Sequence, residues 1–231
     1  MNQAVFQAHD GPVWRVRFAH PRFESLLASC GYDNKVKIWR KDQHQKWGQL
    51  VHEASFLGSI QCLAWGPQEK GLSLTVGCID GNLKTLTYSK DGTWLQSALK
   101  AHAESITGLS WSGGENGRLA SCSTDRSVKI WDIVEGKETE LGQHADPVRD
   151  VAWSPDGQMV ASVSEDGNCK VWSVKGKQTT CEDIKFNVPL WKVSWNEGSS
   201  LLAISGGDDE VHVLSRGAND EWSEVALPQS E

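Results

Sequence analysis

Apolar and polar residues alternate along this chain in short runs, and the runs come in sets. The clearest set lies between Gln143 and Trp172, reading QHADPVRDVAWSPDGQMVASVSEDGNCKVW. An alternating stretch ends at Trp153, the turn Ser154-Pro155-Asp156-Gly157 follows, a second run carries Ser162, and the tight turn Asp166-Gly167 leads into a third run ending at Trp172. Period-two alternation predicts half-buried strands, and Asp-Gly and Pro-Asp-Gly predict the turns between them. The aspartate of the tight turn recurs at Asp33, Asp80, Asp125, Asp166 and Asp208, with gaps of 47, 45, 41 and 42. Five copies therefore fill the chain, and the first run of each ends on Phe18, Trp65, Trp111, Trp153 or Trp195.

A period of this length, with His near the start and Trp at the end, resembles the blade of a WD40 propeller, four antiparallel strands per copy. Three strands per copy are visible and the linkers supply the fourth, as at Trp47 to Val51 and at Glu221 to Leu227. The predicted fold is all-β: about five four-stranded blades plus an orphan strand over Asn2 to Gln7, forming an open ring with almost no helix. One domain spans residues 1–231, with repeats at about 8–51, 52–100, 101–142, 143–183 and 184–231. In the first copy Trp14, Val16 and Phe18 share one face of their strand and Arg15 and Arg17 the other. In the fifth, Trp191, Val193 and Trp195 share a face.

Three copies repeat a polar set: His9, Ser29, Asp33 and Trp39; His102, Ser121, Asp125 and Trp131; His144, Ser162, Asp166 and Trp172. The WD40 resemblance implies a hydrogen-bonded chain from indole through hydroxyl and imidazole to the turn aspartate. Each link contributes about 1 kcal/mol net, whereas an orphaned buried member costs about 1–3 kcal/mol, so the set should be kept or lost whole. Copy two has Phe56, Val76 and Leu86 at these positions, and copy five, from Phe186 to Leu214, likewise lacks His, Ser and Trp. A hydrolase triad uses the same residue types, but it needs a single set beside an oxyanion hole, and here the set occurs at the blade period. No G-x-S-x-G, phosphate-loop or H-E-x-x-H pattern is present, and Gly113-Gly114 and Gly206-Gly207 read as loop and turn glycines. The histidines outside the set show no metal-ligand spacing. The expectation is therefore a non-enzyme with no catalytic, cofactor-binding or metal residues.

Composition narrows the class further. Apolar residues make up 39% of the 231, enough for a core, yet no run approaches the ~18 needed to span a bilayer. MNQAVFQAHD has neither a basic nor an apolar leader region, so a cytosolic or nuclear location is expected, with the six cysteines reduced and used as small apolar side chains. A net charge of −7 without basic clusters argues against direct nucleic-acid binding. Twelve tryptophans are mostly repeat positions.

The chain is similar in detail to the Sec13-type WD40 proteins. The resemblance is carried by AHDGPVW at Ala8 to Trp14, Ala19-His20-Pro21, LASCGYDNKVKIW at Leu27 to Trp39, Gly71 to Leu74, His144 to Trp153, and WKVSWNEGSSLLAISGGD at Trp191 to Asp208. That family implies a scaffold: an open six-bladed propeller that accepts a further blade from an α-solenoid partner. The partner is Sec31-type in the COPII vesicle coat of ER-to-Golgi transport and Nup145C/Nup96-type in the nuclear pore outer ring. It also implies a cytoplasmic location, peripheral on ER and COPII vesicles, and at the nuclear envelope, without membrane insertion. The chain departs from the pattern in lacking the first blade apart from the orphan strand, in having no long insertion before the Leu119 strand, and in Leu214. The uncovered edges expected at the first and last copies make Val5, Phe6, Val211, Val213 and Val225 the candidate edge for the partner's blade. The alternative is a generic WD40 adaptor that binds peptides on the face of its ring.

Overall fold

Successive alternating runs joined by tight turns can only return beside themselves antiparallel, and the whole architecture follows from that. The computed structural model describes residues 5–113, 117–133, 135–175, 179–217 and 221–225. Contacts divide the chain into two compact units, Met1–Trp111 and Ser112–Glu231. In the first unit, β1 (Val13–Phe18), β2 (Leu27–Gly31), β3 (Lys35–Lys41) and β4 (Trp47–Ser55) form one sheet in chain order. A second sheet contains β5 (Ile60–Trp65), β6 (Ser73–Cys78), β7 (Asn82–Tyr88) and β8 (Trp94–Lys100), and β9 (Ile106–Trp111) ends the unit. The second unit begins with β10 (Leu119–Ser123), β11 (Ser127–Asp132) and β12 (Lys137–Gln143). It continues with the sheets β13 (Val148–Trp153), β14 (Met159–Ser164), β15 (Asn168–Ser173) and β16 (Thr180–Lys185), then β17 (Leu190–Trp195), β18 (Leu201–Gly206), β19 (Val211–Arg216) and β20 (Trp222–Glu224).

The strands thus make five four-stranded antiparallel sheets, one per sequence copy, and the all-β expectation holds. Helix among the described residues is confined to two 3₁₀ turns, Pro21–Phe23 and Gln68–Lys70. The first occupies the Ala19-His20-Pro21 loop, where Pro21 presets the turn and His20 Nδ1 accepts the Arg22 amide at 3.2 Å.

The tight turn has one backbone requirement that the residue types only partly announce. Its position after the aspartate is left-handed in every copy: Asn34 at φ 61°, Gly81 at 75°, Arg126 at 73°, Gly167 at 76° and Asp209 at 62°. Glycine, asparagine and aspartate tolerate this region; arginine accepts strain there.

The cores lie between neighbouring sheets within each unit. In the first, Ala28, Cys30, Val36 and Ile38 pack against Ile60, Leu63, Leu74 and Val76. In the second, Ala120, Cys122, Val128 and Ile130 meet Val148, Val151, Trp153 and Val160, and Ala161, Val163, Cys169 and Val171 meet Leu190, Val193, Leu202 and Ile204. A repeated polar link joins the same pairs of sheets: Trp65 Nε1 donates to the Arg17 carbonyl at 2.9 Å, and Trp195 Nε1 to the equivalent Ala152 carbonyl at 3.1 Å. Cys30, Cys62, Cys78, Cys122 and Cys169 are buried free thiols, whereas Cys181 is exposed. Burial pushes the Cys30 thiol up to about 12 and Cys78 to about 11.

Two expectations need correction. Val5 to Gln7 are not a strand, and Asn2 to Ala4 lie outside the described residues. The segment is held by side chains instead of a ladder: the Phe6 ring packs 5.0 Å from that of Trp39, and Gln7 Nε2 donates to the His9 carbonyl at 3.0 Å. The outer strands also differ in length. β4 continues to Ser55, since it pairs with β3 as far as Lys35, while β20 covers only Leu214 to Arg216; Ala226 and Leu227 fall outside the described residues.

Gly167→Ala should destabilise by about 1–3 kcal/mol, because a left-handed alanine is strained and its Cβ would sit 2.7 Å from the Phe186 carbonyl oxygen. Arg126→Gly should stay within about 1 kcal/mol of wild type, relief of strain offsetting the added unfolded-state freedom. Urea unfolding of both variants checks the contrast.

Candidate functional site

In copies one and four the polar sets form continuous chains that start in the core and end at the tight turn. Trp39 Nε1 donates to Ser29 Oγ at 2.8 Å, Ser29 Oγ lies 2.7 Å from His9 Nε2, and His9 Nδ1 lies 2.9 Å from Asp33 Oδ1. The corresponding distances through Trp172, Ser162, His144 and Asp166 are 3.1, 2.9 and 3.1 Å. An indole can only donate, so the serine hydroxyl accepts from it and donates its own O–H to Nε2, leaving Nδ1–H to donate to the carboxylate. The aspartate also closes the turn, Asp166 accepting the Ala145 amide at 2.8 Å and the Asn168 amide at 2.9 Å. The chain therefore ties the second and third strands of the sheet, and the turn between them, to the loop that enters the sheet.

Of the third set, Trp131 Nε1 donates to Ser121 Oγ at 2.8 Å, Asp125 accepts from the Ser127 amide at 3.0 Å and hydroxyl at 2.6 Å, and His102 is buried. In copy two Phe56, Val76 and Leu86 are buried apolar residues, and Asp80 caps only its own turn through Asn82. Copy five has the apolar Ile204 and Leu214 in the core, and its aspartate has a different partner, with His212 of β19 placing Nε2 2.8 Å from Asp208 Oδ2 and Nδ1 2.8 Å from Glu224 Oε1.

Charge follows from these geometries. Burial lowers the His144 pKa, so its imidazole stays neutral despite the nearby Asp166. Burial acts to raise Asp166, but the Ala145 and Asn168 amides and His144 outweigh it and hold the carboxyl below its ordinary value. Asp33 behaves alike: burial opposes, and the bonds from His9 and the Asp10 amide prevail.

The exposed surface was not evident from alternation. Position for position, Ala28, Thr75, Ala120 and Ala161 are 0% exposed, whereas Ala203 in the last copy is exposed. Val36, Leu83, Val128 and Cys169 are buried, but Val211 is 59% exposed. The first copy shows the opposite face: Leu63, Val151 and Val193 are buried, but Val16 is 50% exposed and Phe18 66%. Trp14, Val16 and Phe18, expected to bury one face of β1, thus face solvent together. Alternation names a face but not the neighbour that covers it.

The candidate edge residues are placed differently from one another. Val5 is exposed and Phe6 half-buried against Trp39. Val211 and Val213 belong to the third strand of the last sheet, not to a free edge: β19 is paired with β18 from Val211 to Ser215, and the Val225 amide donates to the Val213 carbonyl at 2.7 Å. The exposed part of this sheet is the side-chain face bearing Ala203 and Val211.

Five sheets on a WD period, with turn aspartates gripped by imidazoles, define a WD40-repeat protein. The family model described as "WD domain, G-beta repeat" matches residues 2–40, 93–132 and 137–173, the segments around the regular copies. More narrowly, the chain belongs to the Sec13 family. It is 32% identical to "Protein transport protein sec13" of Emericella nidulans over 96% of this chain and 82% of that protein. It is 34% identical to "Protein transport protein SEC13-2" of Candida glabrata over 94% and 82%, and 30% identical to "Protein SEC13 homolog" of Drosophila melanogaster over 96% and 70%.

Removing the Asp166 carboxylate strands the buried Nδ1–H of His144 and the Ala145 amide, so Asp166→Ala should cost about 1–3 kcal/mol. Asp80→Ala, which frees only Asn82, should cost less, and equal losses in denaturant melts would exclude the hydrogen-bond chain as the cause. Acid should act through the same groups. An unfolded His144 takes up its proton near the ordinary 6.5 while the folded one resists, so stability present above that pH falls as the pH drops below it. Asp33 and Asp166 add a second loss once the pH passes below the ordinary 3.8. Thermal melts across pH 8 to 3 should show both declines, and His144→Gln should remove much of the first.

Proposed function

We propose that this chain is a non-enzymatic scaffold subunit of protein transport that is completed by β-structure from a partner chain. Membership of a family of protein transport proteins supports the coarser role. The observation that carries the finer one is the apolar face of β1, where Trp14, Val16 and Phe18 are 51%, 50% and 66% exposed. Burying such a face gains about 25 cal/mol per Å² of apolar area, enough to hold a partner blade against it. The exposed face of the last sheet, through Ala203 and Val211, is a second surface of the same kind. The partners this reading calls for are an α-solenoid protein of Sec31 type in the COPII coat and one of Nup145C/Nup96 type in the nuclear pore outer ring. It places the chain in the cytoplasm, peripheral on ER and COPII vesicles, and at the nuclear envelope.

A second reading, a peptide-binding adaptor, draws on Tyr32, Leu57 and Ile79, which are 65%, 100% and 48% exposed in turns and loops of the first unit. Affinity purification from cells separates the two. The scaffold reading predicts one large helical partner in equal amount, a raised melting temperature for the complex, and loss of the complex in Phe18→Asp, which should cost the isolated chain only about 1 kcal/mol through the lost edge-to-face contact with Trp47. A stable monomer that binds neither partner type, or a complex unaffected by Phe18→Asp but broken by Leu57→Asp, would replace it with the adaptor.

A further inference from the structure

The last tight turn breaks the rule of the other four. Two residues into β3, β7, β11 and β15 the chain has Lys37, Lys84, Lys129 and Lys170, and the corresponding residue of β19 is His212. Three of those lysines lie against carboxylates of the next strand: Lys37 at Glu53, Lys129 at Glu138 and Lys170 at Asp183. Two residues after the turn aspartate the copies have Lys35, Asn82, Ser127 and Asn168, and then Glu210. The fifth copy therefore removes a fixed cation, substitutes a side chain with a lone pair, and adds an acid, all at one place. Asp208, Glu210 and Glu224 gather around a single imidazole.

We propose that Asp208, Glu210 and His212 form a binding site for a divalent metal ion of the zinc class. Ligand atoms of the three residues lie within 4.8 Å of one another. A neutral imidazole that donates Nδ1–H to Glu224 Oε1, 2.8 Å away, turns the lone pair of Nε2 toward Asp208 Oδ2, also 2.8 Å away. Two acceptors at that distance repel unless a positive charge lies between them. A proton supplies it in the simplest case, giving an imidazolium between two carboxylates; a metal supplies it and also engages Glu210, which the imidazolium does not use. Around a tetrahedral zinc with ligand bonds of about 2.0–2.2 Å, neighbouring ligand atoms stand about 3.4 Å apart, so Nε2 and Oδ2 must open slightly and the exposed Glu210 swing in. Asp208 is held for this by the Glu210 amide on its other oxygen, at 3.3 Å. The fourth position would hold water. One imidazole with two carboxylates suits zinc or manganese rather than a thiolate-seeking ion, and a carboxylate behind the ligating histidine is the support such a ligand commonly has.

The test is zinc binding by the full chain in a Cys181→Ser background, which removes the one exposed thiol. Calorimetric titration with zinc chloride should give one equivalent bound and a melting temperature that rises with zinc. His212→Gln and Glu210→Gln should each weaken binding by about 10-fold or more, and Glu224→Gln, behind the ligand, by about 10-fold. Glu210 is exposed and its variant folds irrespective of the fate of His212→Gln, so it decides the matter should the latter misfold. No zinc uptake by the folded parent, or uptake unchanged by Glu210→Gln, overturns the site and leaves the imidazolium as its occupant. Neither result bears on the transport role, which uses other faces of the chain.

Discussion

A sheet whose strands are apolar on both faces must be covered on both, and most of this structure is the consequence. Because every copy supplies such a sheet, each inner position is buried by the sheet before or after it, and the stacking within each unit repeats the same contacts and the same indole-to-carbonyl link from Trp65 and Trp195. The residues that escape burial do so by place in the array and not by type. Val16 resembles Val151, and Ala203 resembles Ala161, yet one of each pair lies in solvent. An interface is thereby marked without any change in composition.

The polar chains work under the same constraint. An imidazole at the sheet interior is tolerable only when both nitrogens are engaged, and the turn aspartate and strand serine engage them from opposite sides. Copy two keeps Asp80 for its own turn but dispenses with the imidazole, hydroxyl and indole and fills the space with Phe56, Val76 and Leu86, which is the other self-consistent solution. Copy five is a hybrid: an apolar interior, with an imidazole moved from the entering loop onto β19, where it lies against the Phe186 ring and serves the same aspartate. Loss of the buried set is complete, as its energetics require, whereas the surface carboxylate remains free to acquire a new partner.

Much of this was legible in the residues. The turn aspartates located all five sheets, and alternation located three strands of each, since both signals are local. The terminal strands were harder: β4 and β20 are largely exposed, so their ladders are set by pairing with β3 and β19 and not by an apolar pattern. Val5 to Gln7 look strand-like but use Phe6 as an anchor on Trp39. The left-handed residue of the turn was legible at Gly81 and Gly167 and hidden at Arg126. The cluster at His212 is hidden in the sequence because its histidine stands at a position held by lysine in the other copies, and its partner Glu224 comes from a separate strand.

The buried cysteines give the fold a built-in reporter. A thiol raised to about 11 or 12 has almost no thiolate at neutral pH, and the thiolate is the form that reacts with alkylating agents and oxidants. Cys30, Cys78, Cys122 and Cys169 sit on strands of four different sheets, so each sulfur is chemically silent while its own sheet is closed and becomes visible when that sheet opens. The order in which they react under mild denaturation would therefore trace the sequence of local openings sheet by sheet, with no label added to the chain.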